Sequence, residues 1–523
     1  MKPIVLAILD GWGIGTKSQI NPVESAQIPN FRKIEKNYPG CSLQASGIAI
    51  GLPWNEAGNS EVGHIVIGAG RVIYQYLPRI SLEIKNGKFF NNPALLKAVN
   101  HAKKNNSALH LIGLASSGNV HSYLEHLYAL IELARKEKIE NLRLHLFTDG
   151  KDAPTKEGKK IIGAIKEKLN QQPNWQIASI IGRFFAMDRN GNWDRTEKTY
   201  NLFVNGIGTE TDDPIKKMEE FYTQDINDTY IEPLLILDEQ KKPVSRIQNN
   251  DAIIFFDFRA DSMRQLVSAF VAERFENFAR KKLENLQITT MTQYDKRFEV
   301  DIAYLPIEIK NNLAEELSKR RKRVLKVAET EKYAHVTYFF NGDREELFPY
   351  EDRKLISSGT VSRYDEKPEM QTEKVTDAVI NGIRDKYDLI VVNYASPDII
   401  AHTGNFEAAT KSLEAIDKTL KRLLGMAEYG ECILIITSDH GHIEQMVDLQ
   451  TGETMTEHTL NPVPFFIVGQ EFKLKSPRNE EELMNLYQPP KGIICDIAPT
   501  ILELMQIPKP PEMTGESLLN VIK

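Results

Sequence analysis

Leu389-Ile390-Val391-Val392-Asn393-Tyr394-Ala395-Ser396-Pro397-Asp398, with His402 four residues further on, decides how the rest of this 523-residue chain is read. Four apolar residues in a row suit a strand covered on both faces, and the polar residues follow immediately. The same grammar recurs at Ile4–Leu9, Leu109–Leu114, Leu142–Phe147, Ile177–Ile181, Ala252–Phe256, Ile288–Met291, Val324–Val327, Cys432–Thr437 and Phe465–Val468. Longer charged, amphipathic stretches separate many of these runs, among them Asn92–Asn105, Leu124–Lys138 and Thr372–Lys386. Short runs alternating with helical patterns predict an α/β fold with mostly parallel sheets flanked by helices. In such sheets ligands bind beyond the carboxyl ends of the strands, so the residues after each run are the candidates for function.

Those residues form two chemical sets. Asp10 follows the first run, Asp398 and His402 the quoted one, and Asp439-His440 the run ending at Thr437; His458 precedes the Phe465–Val468 run. Carboxylate and imidazole without thiolate are donors for a divalent metal, and Mn²⁺, Zn²⁺, Co²⁺ and Mg²⁺ all remain open on ligand type. The middle of the chain instead offers His121, Lys151, Asp152, Arg183, Arg189, Arg259 and Arg264, a mainly cationic set suited to anions. The metal set comes from both ends of the sequence. The simplest organisation is a discontinuous metal-binding domain, residues 1–76 with 308–523, into which a second α/β domain, residues 77–307, is inserted.

Bulk properties exclude several classes. Lys and Arg number 65 against 72 Asp and Glu, a net charge of −7 that argues against a general nucleic-acid binder. The basic run Lys319–Arg323 reads as the end of a helix entering a strand. Cys41, Cys432 and Cys495 are too few and too scattered for a disulfide framework and read as packing residues in a reducing compartment. No stretch approaches the roughly 20 apolar residues of a membrane helix, and Ile4–Leu9 is too short for a signal-peptide core. A cytoplasmic protein with no membrane or nucleic-acid partner is expected.

Two local patterns bear on chemistry. A helix opened by Pro397 would put Asp398 and His402 on one face, where they could share a metal. In Gly58-Asn59-Ser60-Glu61-Val62-Gly63-His64, a helix starting at Ser60 would set its hydroxyl at the positive helix end, which favours an alkoxide or a phosphate. A plain N-cap serine fits the same residues.

The motifs together are similar to one known family. Leu9–Gly13, Gly58–His64, Gly68–Val72, Asp149–Asp152, Ala186–Arg189 with Trp193–Arg195, Glu329–Thr337, Phe340–Gly342, Asp398 with His402–Gly404, Asp439–Gly441 and His458–Pro464 resemble, in family order, cofactor-independent phosphoglycerate mutases of the alkaline phosphatase superfamily. The resemblance implies an alkaline-phosphatase-like domain carrying an inserted substrate-binding domain. It implies interconversion of 3- and 2-phosphoglycerate through a phosphoserine, without bisphosphoglycerate, by a glycolytic monomer. Ser60 would be the nucleophile. Asp10, Ser60, Asp439 and His440 would hold one divalent ion and Asp398, His402 and His458 the other, with Mn²⁺ the first expectation. Lys332 would neutralise the transferring phosphoryl group. His121, Asp152, Arg183, Arg189 and Arg259, with Lys151 beside them, would bind the glycerate.

Several positions depart from the family pattern. Lys151 and Ser262 stand where arginines are usual, Ala401 replaces a glycine before the metal histidine, and His442 replaces the asparagine after Asp-His-Gly. Arg264 is the candidate to replace the arginine missing at 262. If position 262 is an empty slot, Ser262→Arg is expected to lower KM.

Overall fold

A computed structural model describes residues 2–170, 172–359, 361–448 and 450–522. The chain forms two compact units, Met1–Gln75 with Ile307–Lys523, and Tyr76–Pro306. Each carries an eight-stranded sheet among the described residues.

In the first unit the strand order is Glu351–Ile356, Val324–Glu329, Leu389–Tyr394, Ile4–Leu9, Ile433–Thr437, Val463–Val468, Gly40–Gln44, Gly492–Ile493. Ile4–Leu9 is central and every one of its residues is buried, as a strand covered on both faces requires. It pairs in parallel with both neighbours, Ile4 opposite Leu389 and Ile433. That register brings Asp10, the Tyr394–Ala395 step and Ser438 to one edge of the sheet. Val463–Val468 runs antiparallel to Ile433–Thr437, with Phe465 opposite Thr437. Its beginning therefore lies at this edge, which is why His458 reaches it from ahead of its strand while Asp10, Asp398 and Asp439 follow theirs.

In the second unit the order is Asp301–Tyr304, Gln287–Thr292, Ala252–Phe255, Leu109–Leu114, Leu142–Thr148, Trp175–Gly182, Leu234–Ile236, Thr209–Thr211. Pairing is parallel except between Trp175–Gly182 and Leu234–Ile236. The cationic residues follow four neighbouring strands of this sheet.

The apolar runs are strands, several extended by a residue or two. Gly40–Gln44, too mixed in character to be read as a run, is a further strand. Two helices end earlier than their charged patterns suggest, at Lys136 and Arg384. In both cases a lysine two residues on, Lys138 or Lys386, takes a left-handed conformation (φ 56°) and turns the chain away. The Lys319–Arg323 run does join the helix Leu313–Lys319 to the strand Val324–Glu329. Lys319 and Arg320 pair with Glu316, and Lys322 with Asp388. The chain after Pro511 closes in a single 3₁₀ turn, Leu518–Asn520. All three cysteines are buried and free. Among the described residues no helix is long and apolar enough to cross a membrane.

Candidate active site

The helix Ser60–Ala69 begins at Ser60, but Ser60 is not its cap. Asn59 is, accepting a hydrogen bond from Val62 N at 2.9 Å. The Ser60 hydroxyl is thereby left for other work, which removes the plain N-cap reading. Two glycines in the motif allow the close approach this requires. A Cβ on Gly63 would stand 2.7 Å from the Asp439 carbonyl, and one on Gly58 would stand 2.9 Å from His440 Cβ. Any side chain at either position would push Ser60 away from the Asp439-His440 turn.

Ser60 Oγ accepts from Lys332 Nζ at 2.6 Å, lies 3.0 Å from His440 Nε2 and reaches Asp10 Oδ1 at 3.3 Å. Lys332 ends a 3₁₀ turn, Thr330–Lys332, after the strand Val324–Glu329, and a π-type turn at His335–Phe339 follows. Its ammonium also donates to Asp10 Oδ1 at 2.8 Å and Asp398 Oδ2 at 2.6 Å. Burial works against the charge on Lys332, but Asp10, Asp398 and Asp439 outweigh it and hold its pKa well above the usual lysine value. Asp398 and Asp439 are buried yet held well below the usual carboxylate range, Asp398 chiefly by Lys332 and Asp439 chiefly by His440 and His64. This is a pocket of concentrated negative charge in which one lysine is the permanent cation.

Asp398 lies in the short helix Ser396–Ala401, opened by Pro397, and His402 follows directly at its C-cap. Asp398 Oδ1 is 3.6 Å from His402 Nε2 and 3.4 Å from His458 Nε2, and the two imidazole nitrogens are 3.2 Å apart. His402 Nδ1 faces the Thr456 carbonyl at 3.0 Å and His458 Nδ1 the Gly58 carbonyl at 2.8 Å. A carbonyl only accepts, so each neutral ring carries its proton on Nδ1 and turns a bare Nε2 lone pair to the other. Two lone pairs at that separation repel unless a cation lies between them. The triangle also fits one: donors about 2.1 Å from a tetrahedral ion lie about 3.4 Å apart. The outward Nδ1–H to carbonyl bonds are the supports that metal-binding histidines usually have.

The second group is Asp10, Ser60, Asp439 and His440. His440 Nε2 is 3.5 Å from Asp10 Oδ1 and 3.7 Å from Asp439 Oδ2. Asp439 Oδ1 accepts from Gly11 N and His440 N, while Oδ2 is buried with no hydrogen-bond partner among the described residues. His64 Nδ1 is 3.2 Å from that oxygen, but its proton belongs to the Ser60 carbonyl at 2.8 Å. An unpartnered buried carboxylate oxygen in such a group again fits a cation. Asp398 of the first group also lies close to Asp10 and His440 of the second, and the two groups could hold two ions.

Sequence reasoning missed the supporting residues. Asn393 donates to Asp10 Oδ2 at 2.5 Å and contacts His64 Nε2 at 3.1 Å, so the last polar residues of the quoted strand orient the first strand's carboxylate. Glu444 accepts from Gly13 N at 2.9 Å and His442 N at 2.8 Å, tying the two loops together. His64 and His335 lie near one another with tilted rings, centroids 5.6 Å apart.

The cationic residues assemble in the second unit. Arg183 donates to Asp149 Oδ1 and Asp152 Oδ2, each at 2.5 Å, and to His121 Nε2 at 2.9 Å. A guanidinium cannot accept, so His121 carries its proton on Nδ1 and donates it to Ser262 Oγ at 2.9 Å. Burial, reinforced by Arg183, pushes the His121 pKa down to about 4, so the ring is neutral at pH 7. Arg189 and Arg259 both pair with Asp261 and stay 47% exposed. Lys151, next to Asp152 in the chain, is exposed, with its backbone N–H held by Asp149. Arg264 turns elsewhere: its Nε donates to the Tyr294 carbonyl at 2.8 Å and lies 4.0 Å from Asp295. The structure does not bring it to the His121 group. Nor is position 262 an empty slot, since Ser262 is buried and holds His121.

Residues 80–296 match the family described as BPG-independent PGAM N-terminus, and residues 282–459 match Type I phosphodiesterase / nucleotide pyrophosphatase. A 2,3-bisphosphoglycerate-independent phosphoglycerate mutase 2 of Methanosarcina barkeri is 44% identical over 99% of this chain and 98% of its own. The chain belongs to the 2,3-bisphosphoglycerate-independent phosphoglycerate mutase family. The protein of that name from Clostridium acetobutylicum is 45% identical over 99% of both chains. The solved structure of Leishmania mexicana phosphoglycerate mutase at low cobalt concentration covers 98% of this chain and 97% of its own, with a TM-score of 0.55 and 28% identity. The similarity to these relatives thus spans both units.

Proposed function

We propose that this protein interconverts 3-phosphoglycerate and 2-phosphoglycerate in glycolysis and gluconeogenesis, using Ser60 as the phosphoryl acceptor and no bisphosphoglycerate. The observation that carries the proposal is the position of Ser60 Oγ, freed from capping by Asn59 and set between Lys332 Nζ at 2.6 Å and His440 Nε2 at 3.0 Å.

Asp10, Ser60, Asp439 and His440 would hold one divalent ion and Asp398, His402 and His458 the other. Two such ions, when bound, supply charge that acidifies the Ser60 hydroxyl and offsets the phosphoryl charge. Mn²⁺ is the ion proposed, with Co²⁺, Zn²⁺ and Mg²⁺ compatible with the same donors.

The remaining chemistry belongs to the side chains. Ser60 Oγ loses its proton and forms a bond to phosphorus as the bond from phosphorus to the glycerate oxygen breaks; that oxygen takes up a proton. Lys332, which stays charged throughout the neutral range, donates to Ser60 Oγ and stabilises the alkoxide and the phosphoryl oxygens. The other glycerate hydroxyl then attacks the phosphoserine, Ser60 leaves, and the phosphoryl group has moved along the substrate. Arg189 and Arg259, exposed and sharing one carboxylate, take the anionic carboxylate of the glycerate, with Lys151 adding positive charge. His121, Asp152 and Arg183 hold its hydroxyls in fixed donor and acceptor roles. We further propose that the enzyme acts as a cytoplasmic monomer.

The direct test is to quench a reaction with 3-phosphoglycerate in acid and map the phosphopeptide by mass spectrometry. The phosphoryl group is expected on Ser60; a labelled peptide from elsewhere, or none at substoichiometric trapping in every variant, rejects the mechanism.

A further inference from the structure

His442 comes directly after the Asp439-His440-Gly441 turn, and no role in the reaction above requires it. It is wholly buried. Its Nδ1 lies 2.7 Å from Asp398 Oδ1, the same carboxylate oxygen that His402 and His458 face. Its ring centroid is 4.3 Å from that of His402 and 4.8 Å from that of His458. Its Nε2 has no hydrogen-bond partner among the described residues. One donor atom from each of Asp398, His402, His442 and His458 lies within 4.8 Å of all the others. A buried neutral imidazole has one N–H and one bare nitrogen. Here Asp398 Oδ1 partners Nδ1 and nothing among the described residues partners Nε2, and a bare buried nitrogen without a donor costs the protein desolvation energy. Asparagine, which offers no imidazole nitrogen, would leave only three donors in this group.

We propose that His442 is a fourth protein ligand of the ion held by Asp398, His402 and His458, making this a site of three imidazoles and one carboxylate. The inference rests on the two-metal reading above. Three nitrogens and one oxygen favour Co²⁺ and Zn²⁺ over Mn²⁺ and Mg²⁺ more strongly than two nitrogens and one oxygen do. The backbone supports this placement. His442 N donates to Glu444 Oε2, which also accepts from Gly13 N, so the backbone that carries the ring is held in place. The two sites of the chain would then differ in kind. One is built mainly from oxygen donors with a single imidazole, His440, and the other mainly from nitrogen.

The test uses chelator-stripped full-length protein titrated with Co²⁺, read by calorimetry and by visible absorption, for the wild type and for His442→Asn. The wild type is expected to bind two Co²⁺. His442→Asn is expected to keep both sites but to weaken one by roughly 10- to 100-fold, with a shift and loss of intensity in the Co²⁺ absorption of that site. An unchanged spectrum overturns the proposal even if affinity falls, because His442 would then only position Asp398. A wild type that binds no Co²⁺ defeats the two-metal reading itself, and a wild type that binds two ions with an unaffected variant defeats only the role of His442. Should His442→Asn fail to fold, His442→Gly with added imidazole gives the same reading: free imidazole restores the wild-type spectrum if the ring is a ligand and leaves it unchanged if not.

Discussion

Lys332 Nζ stands 2.6 Å from Ser60 Oγ and 2.6 Å from Asp398 Oδ2, so one ammonium bridges the nucleophile and a carboxylate of the neighbouring donor group. Taking such a charge out of water costs several kcal/mol, and the surrounding carboxylates offset it. Lys332→Ala is therefore expected to lower kcat by at least about a hundredfold, the scale seen when one fixed donor to a developing anion is removed. Steady-state kinetics with saturating metal measures it; a kcat within a factor of a few of wild type contradicts the role.

The opposed Nε2 atoms of His402 and His458, 3.2 Å apart, predict a protein that is more stable with its ions than without. Saturating Mn²⁺ or Co²⁺ should raise the Tm of chelator-treated protein and restore activity, and His402→Ala should reduce the Tm gain. An identical Tm with and without metal would contradict the fit of these side chains to a cation.

Ser262 accepts the Nδ1 proton that Arg183 leaves on His121, at 2.9 Å. Ser262→Ala is expected to raise KM for phosphoglycerate several-fold with little change in kcat, as the loss of one neutral hydrogen bond implies. The structure also reverses the sequence expectation for Ser262→Arg. An arginine at this buried position displaces the bond to His121, so KM should rise. Kinetics of both variants decide; a lower KM for the arginine variant restores the empty-slot reading.

Asp257 supplies a pH signature in the second unit. Its Oδ1 accepts from Leu114 N at 2.8 Å, while Oδ2 is buried without a partner among the described residues. Burial, only partly offset by the Leu114 bond and Arg183, pushes its pKa up to about 7. Between the ordinary carboxylate value and 7 the folded protein holds a proton that the unfolded chain has lost, so stability falls as pH rises through this window. Asp257→Asn removes the titration. Relative to the variant, the wild type should lose about 2–3 kcal/mol between pH 5 and pH 8, an upper figure since each pKa unit is worth about 1.4 kcal/mol. Denaturation of both proteins at the two pH values measures it, and an equal difference at both contradicts the assignment.

The strands were legible because buried parallel strands leave nearly pure apolar runs, as Ile4–Leu9 and Leu109–Leu114 do. Gly40–Gln44 was not, because its pairing with Val463–Val468 and the short Gly492–Ile493 strand is a tertiary fact that a mixed Gly-Cys-Ser sequence does not display. The donors Asp10, Asp398, His402, Asp439, His440 and His458 were legible from their places beside the runs. Their convergence depends on the parallel register of three strands and the reversed direction of a fourth, which no single motif encodes. The fate of Arg264 was hidden for the same reason: nothing near it in sequence announces the Tyr294 carbonyl that takes its Nε. The freedom of the Ser60 hydroxyl depended on which of two adjacent polar residues caps the helix, a choice settled only by backbone geometry.

The central claim is that Ser60 carries the phosphoryl group between two positions of one substrate. Phosphorus NMR of the purified protein with 3-phosphoglycerate and Mn²⁺, without bisphosphoglycerate, tests it most directly. The account predicts a growing 2-phosphoglycerate signal that disappears with chelator and in Ser60→Ala. Inorganic phosphate as the only product, or undiminished 2-phosphoglycerate formation by Ser60→Ala, would contradict it.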